Sequence, residues 1–357
     1  MPVHGPDNGD VVDGGQNGED HDGASQGPPA SPRPDGAVLL FSAYGPGRPN
    51  ASAQNVAFSP DGTLIVFTLF ENGYNEGPAR LCVANADGSD AHYITPEEDQ
   101  DNVNVPGAAW NEVTDEIVFA SDRQGSDDIW AIRPDGSGLR RVTDHDPAAQ
   151  DHPPYWIEPV WSPDGQWVVF EADIQAASET DQRGTIYKVR SDGTELTQLT
   201  RRLGEDVDDR LPNWSPDGEY ILFQRRLPHD QATDGDNWDI YVIDTDGDGL
   251  LNVSNAGNKF NTDNSWSPGG DWIASSSAYQ ESGDVLPHPN IIAFFVPRTG
   301  DGPTASPLRI TFSDVHEDGA PSVSPDSQWV AFESHRSPDE QSPSDLWIIE
   351  TPGALRP

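Results

Sequence analysis

Acidic, amide and aromatic side chains recur in small groups along this chain: Asp101 and Asn102; Asp151 and His152 followed by Tyr155 and Trp156; Asp209 and Arg210; Asp263 and Asn264; His316, Glu317 and Asp318. Converging on one axis, carboxylates of this kind could hold a cation, a basic peptide or a sugar, with Tyr155 and Trp156 as a stacking platform. The run Asp244-Thr245-Asp246-Gly247-Asp248-Gly249 is the sharpest metal-like motif, since alternate Asp oxygens followed by Gly open an EF-hand-type calcium loop. Its twelfth position is Asn255, where a bidentate Glu is expected, and Asp246-Gly247 also falls on a repeated hairpin register. A turn therefore competes with calcium as its explanation.

Signals for covalent or acid–base catalysis are weaker. Gly23-Ala24-Ser25-Gln26-Gly27 fits G-x-S-x-G, but a nucleophile elbow needs a strand before it and a helix after it, and neither pattern flanks this copy. The nine histidines include no H-E-x-x-H spacing, although His152, His288 and His316 all fall between apolar runs, where a general base can be presented. No glycine loop of the phosphate-binding or dinucleotide kind is present.

What positions these groups is a repeat. Six anchors, Phe58, Trp110, Trp161, Trp214, Trp266 and Val323, stand 52, 51, 53, 52 and 57 residues apart, a period that suits a stacked supersecondary unit and is too short for independent domains. Most anchors open a Ser-Pro-Asp-Gly-like turn. Nine residues on come Phe67, Phe119, Phe170, Phe223, Ser275 and Phe332, on a second apolar run. A third run follows (Ile240-Tyr241-Val242-Ile243, for example), then Asp-Gly in four copies, at Asp87, Asp135, Asp192 and Asp246, then a short run ending in Thr95, Thr143, Thr200, Ser254 or Thr311. Asp-Gly between β-rich runs signals a tight hairpin because both residues tolerate positive φ. Each copy reads as a four-stranded antiparallel meander, and the fold expected is an all-β, six-bladed β-propeller.

The sixth copy lacks a fourth run, while Ala37-Val38-Leu39-Leu40-Phe41 belongs to no complete copy. This segment is expected to supply the outer strand of the last blade and so close the ring. Residues 37–357 then form one propeller domain. Residues 1–36, rich in Gly, Asp and Pro with few large apolar side chains, read as a flexible acidic tether that cannot bury enough surface to order itself.

A net charge of −41, from 61 acidic and 20 basic residues, argues against nucleic acid or an anionic membrane as partner. No run approaches the length of a membrane-spanning helix. The tether composition suits an exported protein, periplasmic or extracellular, whose signal is absent from this sequence. The lone Cys82 excludes intrachain disulfides and reads as a buried filler.

The runs WSPDGQWVVFEA and WSPDGEYILFQR, followed by DDIWAIRPDG and WDIYVIDTDG and by LTQLT and LRRVT, resemble the WD40-like repeats of TolB-type six-bladed propellers over roughly residues 38–350. TolB carries an additional α/β domain ahead of its propeller, and residues 1–36 of this sequence do not resemble one. The resemblance implies a periplasmic, non-catalytic scaffold that binds a protein; a cell-envelope glycan is the other partner expected, and the chain is expected to act as a monomer. Alternation of turns within a meander puts the short Ser-Pro-Asp-Gly and Asp-Gly turns on one face and the long, dissimilar loops on the other. Binding is expected on that second face and at the channel mouth, through Asp101, Asn102, Asp151, His152, Tyr155, Trp156, Asp209, Arg210, Asp263, Asn264, His316, Glu317 and Asp318. Calcium at Asp244, Asp246 and Asp248 is the one cofactor expectation. The alternative is a carbohydrate-active propeller enzyme, a lyase or hydrolase, using His152, His316 and the acids of the mouth.

Overall fold

A computed structural model describes residues 32–96, 103–104, 109–125, 127–144, 155–174, 183–200, 207–226, 238–254, 261–279, 285–297, 306–339 and 341–357. Six antiparallel sheets stand around one axis, and no α-helix occurs among the described residues. Blade 1 comprises Ser52–Phe58, Leu64–Phe70, Ala79–Asn85 and His92–Tyr93. Blade 2 has a first strand in two pieces, Val103–Asn104 and Trp110–Asn111, both paired with Glu116–Ser121. Blades 3, 4 and 5 begin with Tyr155–Trp161, Asp208–Trp214 and Asn261–Trp266, and blade 6 with Asp318–Val323.

The sequence repeat is explained bond by bond. In each Ser-Pro-Asp turn the Ser hydroxyl donates to the Asp carboxylate and accepts an N–H from the start of the second strand, as in Ser162 to Asp164 (2.6 Å) and Trp167 N–H to Ser162 Oγ (2.9 Å). In blade 2, where the sequence is Trp-Asn-Glu-Val-Thr-Asp, Asn111 Oδ1 accepts the Val113 and Thr114 N–H groups instead. The Thr or Ser closing each fourth run accepts an N–H from the third strand of its blade: Leu81 to Thr95, Ile129 to Thr143, Ile186 to Thr200, Ile240 to Ser254 and Ile291 to Thr311. The repeated Phe67, Phe119, Phe170, Phe223 and Phe332 are fully buried, each among residues of neighbouring blades.

The ring closes as the sequence suggests. Val38–Phe41 pairs antiparallel with Ser344–Glu350 as the outer strand of blade 6, through Val38 to Ile348 and Leu39 to Trp347. The Asp-Gly turns confirm its equivalence to a fourth strand. Gly136, Gly193 and Gly247, all at positive φ, lie against the Ile94, Val142 and Leu199 carbonyls of the preceding blade's outer strand. Gly88 meets the Leu40 carbonyl in the same way, so the N-terminal strand stands where a preceding blade would.

Order begins earlier than the expected boundary at residue 37. Arg33 donates to both carboxylate oxygens of Asp318 (2.8 and 2.9 Å) and to Ser334 Oγ (3.2 Å), and its guanidinium lies over the Phe332 and Trp347 rings. Ala37 is fully buried between blades 5 and 6. Composition hides this, because one arginine with a buried carboxylate partner organises the segment without any apolar run. Residues 1–31 of the expected tether lie outside the described residues.

Candidate functional site

Three positions before the anchor, the first strand of five blades carries a bulge whose first residue is left-handed: Asn55 (φ 56°), Glu158 (52°), Leu211 (51°), Asp263 (51°) and Ala320 (43°). None is glycine, although that backbone costs roughly 1–2 kcal/mol for other L-residues. Bulges re-aim side chains, and here they turn these residues toward the axis. Together with Val160, Pro212, Asn213, Asn264 and Pro321 they line a cavity of about 60 Å³.

The bulge N–H groups are capped by acids. The Leu211 N–H donates to Glu171 Oε2 (3.1 Å) and the Asn55 N–H to Glu333 Oε2 (3.0 Å), each Glu following the repeated Phe in the preceding blade. The Ala320 N–H bonds the carboxylate of Asp263. Tyr74, from the loop after the second strand of blade 1, crosses the seam, donates its hydroxyl to Glu333 Oε1 (2.9 Å) and packs its ring at 4.5 Å against the His335 ring, tilted by 46°.

The result is an acidic well. Burial pushes the Glu333 carboxyl up to about 8, and the negative charge of Asp263 adds to it against the Asn55 and Tyr74 bonds. Glu158 is raised to about 7 by burial and then by Asp263, and Asp263 to about 6 by burial, opposed by its Ala320 and Thr262 bonds. Both carboxylates are half-buried, at the cavity wall. Asn264 lies beside them, 9% exposed, with neither Nδ2 nor Oδ1 bonded.

The residues expected at the mouth divide. Asp263 and Asn264 face the cavity. Asp209 and Asp318, two positions before their bulge residues, are buried in ion pairs, Asp209 with Arg225 (2.6 and 2.8 Å) and Asp318 with Arg33. Arg210 bonds Asp208 (2.9 Å) and lies near Trp238. Tyr155 is exposed at the start of blade 3, while Trp156 packs on Phe170 at 5.4 Å. The Glu317 carbonyl accepts the His335 N–H. His316 is partly buried with Nδ1 unbonded, and its pKa is lowered by burial and then by Arg33. Asp101, Asn102, Asp151 and His152 lie outside the described residues.

Asp244, Asp246 and Asp248 form the hairpin turn. Asp244 Oδ1 accepts the Asp246 and Asp248 N–H groups (3.2 and 2.8 Å), and Gly247 takes the positive φ of its siblings. Among the described residues no group of three or more His, Cys, Asp or Glu is placed to hold a metal ion. The sequence reading missed Asn55, Tyr74, Glu158, Asn213 and Glu333. The fixed offset of three from the anchor would have found two of them.

No family model matches the chain. An uncharacterized protein of Agrobacterium fabrum is 35% identical over 116 residues, a match spanning 31% of this chain and 36% of that protein, about a third of its length. In structure the chain is similar to TolB from Acinetobacter baumannii (TM-score 0.54, 18% identity, 84% of this chain and 67% of that one). It is similar to a putative TolB from Agrobacterium tumefaciens (0.53, 19%, 85% and 91%) and to oligogalacturonate lyase from Vibrio parahaemolyticus (0.53, 16%, 92% and 97%). At such identities the likeness is one of fold.

Proposed function

We propose that this TolB-like six-bladed propeller is a non-catalytic binding scaffold of the cell envelope or exterior, recognising a protein or envelope glycan through its long-loop face and channel mouth. The asymmetry of the two faces carries this reading. On one face, four blades share the same short turn tied by a Ser–Asp bond, Ser59 to Asp61, Ser162 to Asp164, Ser215 to Asp217 and Ser324 to Asp326. By sequence the links of the opposite face differ in length, and of its described residues Tyr155, Phe312 and Val315 are exposed. Varied loops on a rigid frame suit recognition. The axial cavity, at about 60 Å³, is too small to enclose a sugar ring, so a partner would rest on the mouth and send only a small group inward.

The test is capture from a native envelope fraction by the full chain. A loop-face variant, Tyr155→Ser with Glu317→Lys, should lose the captured partner, and a turn-face variant, Asp135→Lys with Asp192→Lys, should keep it. Capture indifferent to the first pair and abolished by the second refutes the reading.

A second reading, a carbohydrate-active lyase or hydrolase, draws on His316. Burial and Arg33 hold its imidazole toward the neutral, basic form, and His288 is near enough to act on it electrostatically. Incubation with acidic oligosaccharides decides it: new reducing or unsaturated ends that vanish in His316→Ala would favour the enzyme over the scaffold.

A further inference from the structure

Asn264 presents a problem that its own chain does not solve. A buried amide with neither its donor nor its acceptor bonded costs roughly 1–3 kcal/mol per group, and most such groups in folded proteins have a protein or solvent partner. Asn264 is 9% exposed, both side-chain polar atoms are unbonded, and it lines the axial cavity beside Glu158, Asp263, Asn55 and Asn213. Its surroundings therefore define what could satisfy it.

The chemistry of the lining is acidic. Two carboxylates, Glu158 and Asp263, line the same small space, and among the described residues no basic side chain does. Asp263 is held by the Ala320 N–H and, more distantly, the Thr262 hydroxyl (3.4 Å), both neutral groups. An anion is excluded by repulsion. A bulky organic cation is excluded by the volume of about 60 Å³, which holds an ion and a few waters.

We propose that the axial cavity is a cation site, in which the carboxylates of Glu158 and Asp263 and the amide oxygen of Asn264, with Asn55 and Asn213 beside them, take a hard divalent cation of the calcium kind. Every side-chain acceptor around the space is oxygen, which suits calcium or magnesium over thiophilic metals. Neutral amides mixed with carboxylates, drawn from separate blades without regular spacing, match the flexible, high-number oxygen coordination of calcium better than the strict octahedron of magnesium. Coordinated water would satisfy the remaining Asn264 amide protons. This site is distinct from the Asp244–Asp248 run, whose backbone turn already uses the Asp244 carboxylate. The inference stands independently of the scaffold reading.

The test uses the chelator-stripped full chain, titrated with calcium chloride by calorimetry and followed by thermal unfolding with and without calcium. Wild type should bind one ion and melt higher with it. Asp263→Asn keeps an acceptor for the Ala320 N–H, and Glu158→Gln keeps the side-chain shape; each should weaken binding by roughly tenfold or more through loss of ligand charge. Asp246→Asn in the hairpin should bind as wild type. Absence of binding at millimolar calcium, or binding that survives in both Asp263→Asn and Glu158→Gln, overturns the proposal and leaves the cavity to water.

Discussion

Replacing Arg33 with Met tests whether the propeller is fastened by a side chain as well as by a strand. In blade 4, Arg225 from the second strand pairs with Asp209 and lies over Phe223 and Tyr241. Blade 6 has Ser334 at the equivalent strand position, and Arg33 arrives from the N-terminal segment to do the same work over Phe332 and Trp347. Asp318 is completely buried, and the Arg33 side chain is 11% exposed. Removing the cation leaves a buried carboxylate with the Ser334 hydroxyl (2.7 Å) as its remaining side-chain donor. Losing one partner of a buried pair costs about 3–5 kcal/mol, against a typical domain stability of about 5–15 kcal/mol. Urea unfolding of Arg33→Met should show that loss, and limited proteolysis should cut within residues 32–41 faster than in wild type. Arg225→Met provides the internal standard and should cost a similar amount. The double variant Arg33→Met with Asp318→Leu should recover much of the loss, because apolar replacement of both partners is often near neutral. A destabilisation by Arg33→Met below about 1 kcal/mol, the range of exposed ion pairs, refutes the idea that this arginine fastens the ring.

Gly88→Ala should be the most damaging of the four Asp-Gly substitutions, since its Cβ would sit 2.0 Å from the Leu40 carbonyl oxygen, against 3.0 Å between Gly136 and Ile94. A loss of about 2–4 kcal/mol is expected from backbone strain plus overpacking, measured by urea unfolding beside Gly136→Ala. Thr200→Val removes the acceptor of the buried Ile186 N–H (3.0 Å) and should cost roughly 1–3 kcal/mol in the same assay. The pH dependence of stability follows from Glu333, raised to about 8 in the fold. Between its unfolded value near 4.5 and about 8 the native state binds the extra proton, so stability falls as pH rises through that window, by up to about 1.4 kcal/mol per pH unit. Thermal melts from pH 5 to 8 should lose part of their slope in Glu333→Gln, which keeps an acceptor for the Asn55 N–H, the remainder coming from Glu158 and Asp263, raised to about 7 and about 6.

The fold was legible because its devices are local and repeated. Ser-Pro-Asp, Asp-Gly and the closing Thr each satisfy a backbone group within a few residues or the adjacent strand, so the same residue types recur at the same offsets. The orphan run at residues 37–41 announced closure by the same logic. The candidate site was legible only in part, since its geometry depends on bulges that no residue preference marks: Asn, Glu, Leu, Asp and Ala occupy the five left-handed positions. Loop acids such as Asp209 and Asp318 looked like mouth residues, yet a position two residues earlier on the strand buries them in ion pairs. A shift of one residue exchanges the two faces of a strand, and a bulge makes that alternation fail just where it matters.

Glu158 concentrates what is unusual about this channel. Left-handed backbone is unfavourable for a long side chain, and a carboxylate enclosed beside Asp263 is unfavourable for charge. Leu211 and Ala320 show that the same bulge forms without an acid, so the backbone does not demand one. Glycine would relieve the first cost and glutamine the second. The left-handed bulge is common to five blades and belongs to the strand geometry; what is particular to Glu158 is an enclosed acid where Leu or Ala serves elsewhere, and a costly side chain of that kind is the pattern expected where it serves a ligand. On these grounds the axis at Glu158 and Asp263, beneath the mouth, is where an ion-binding role of this propeller should be sought.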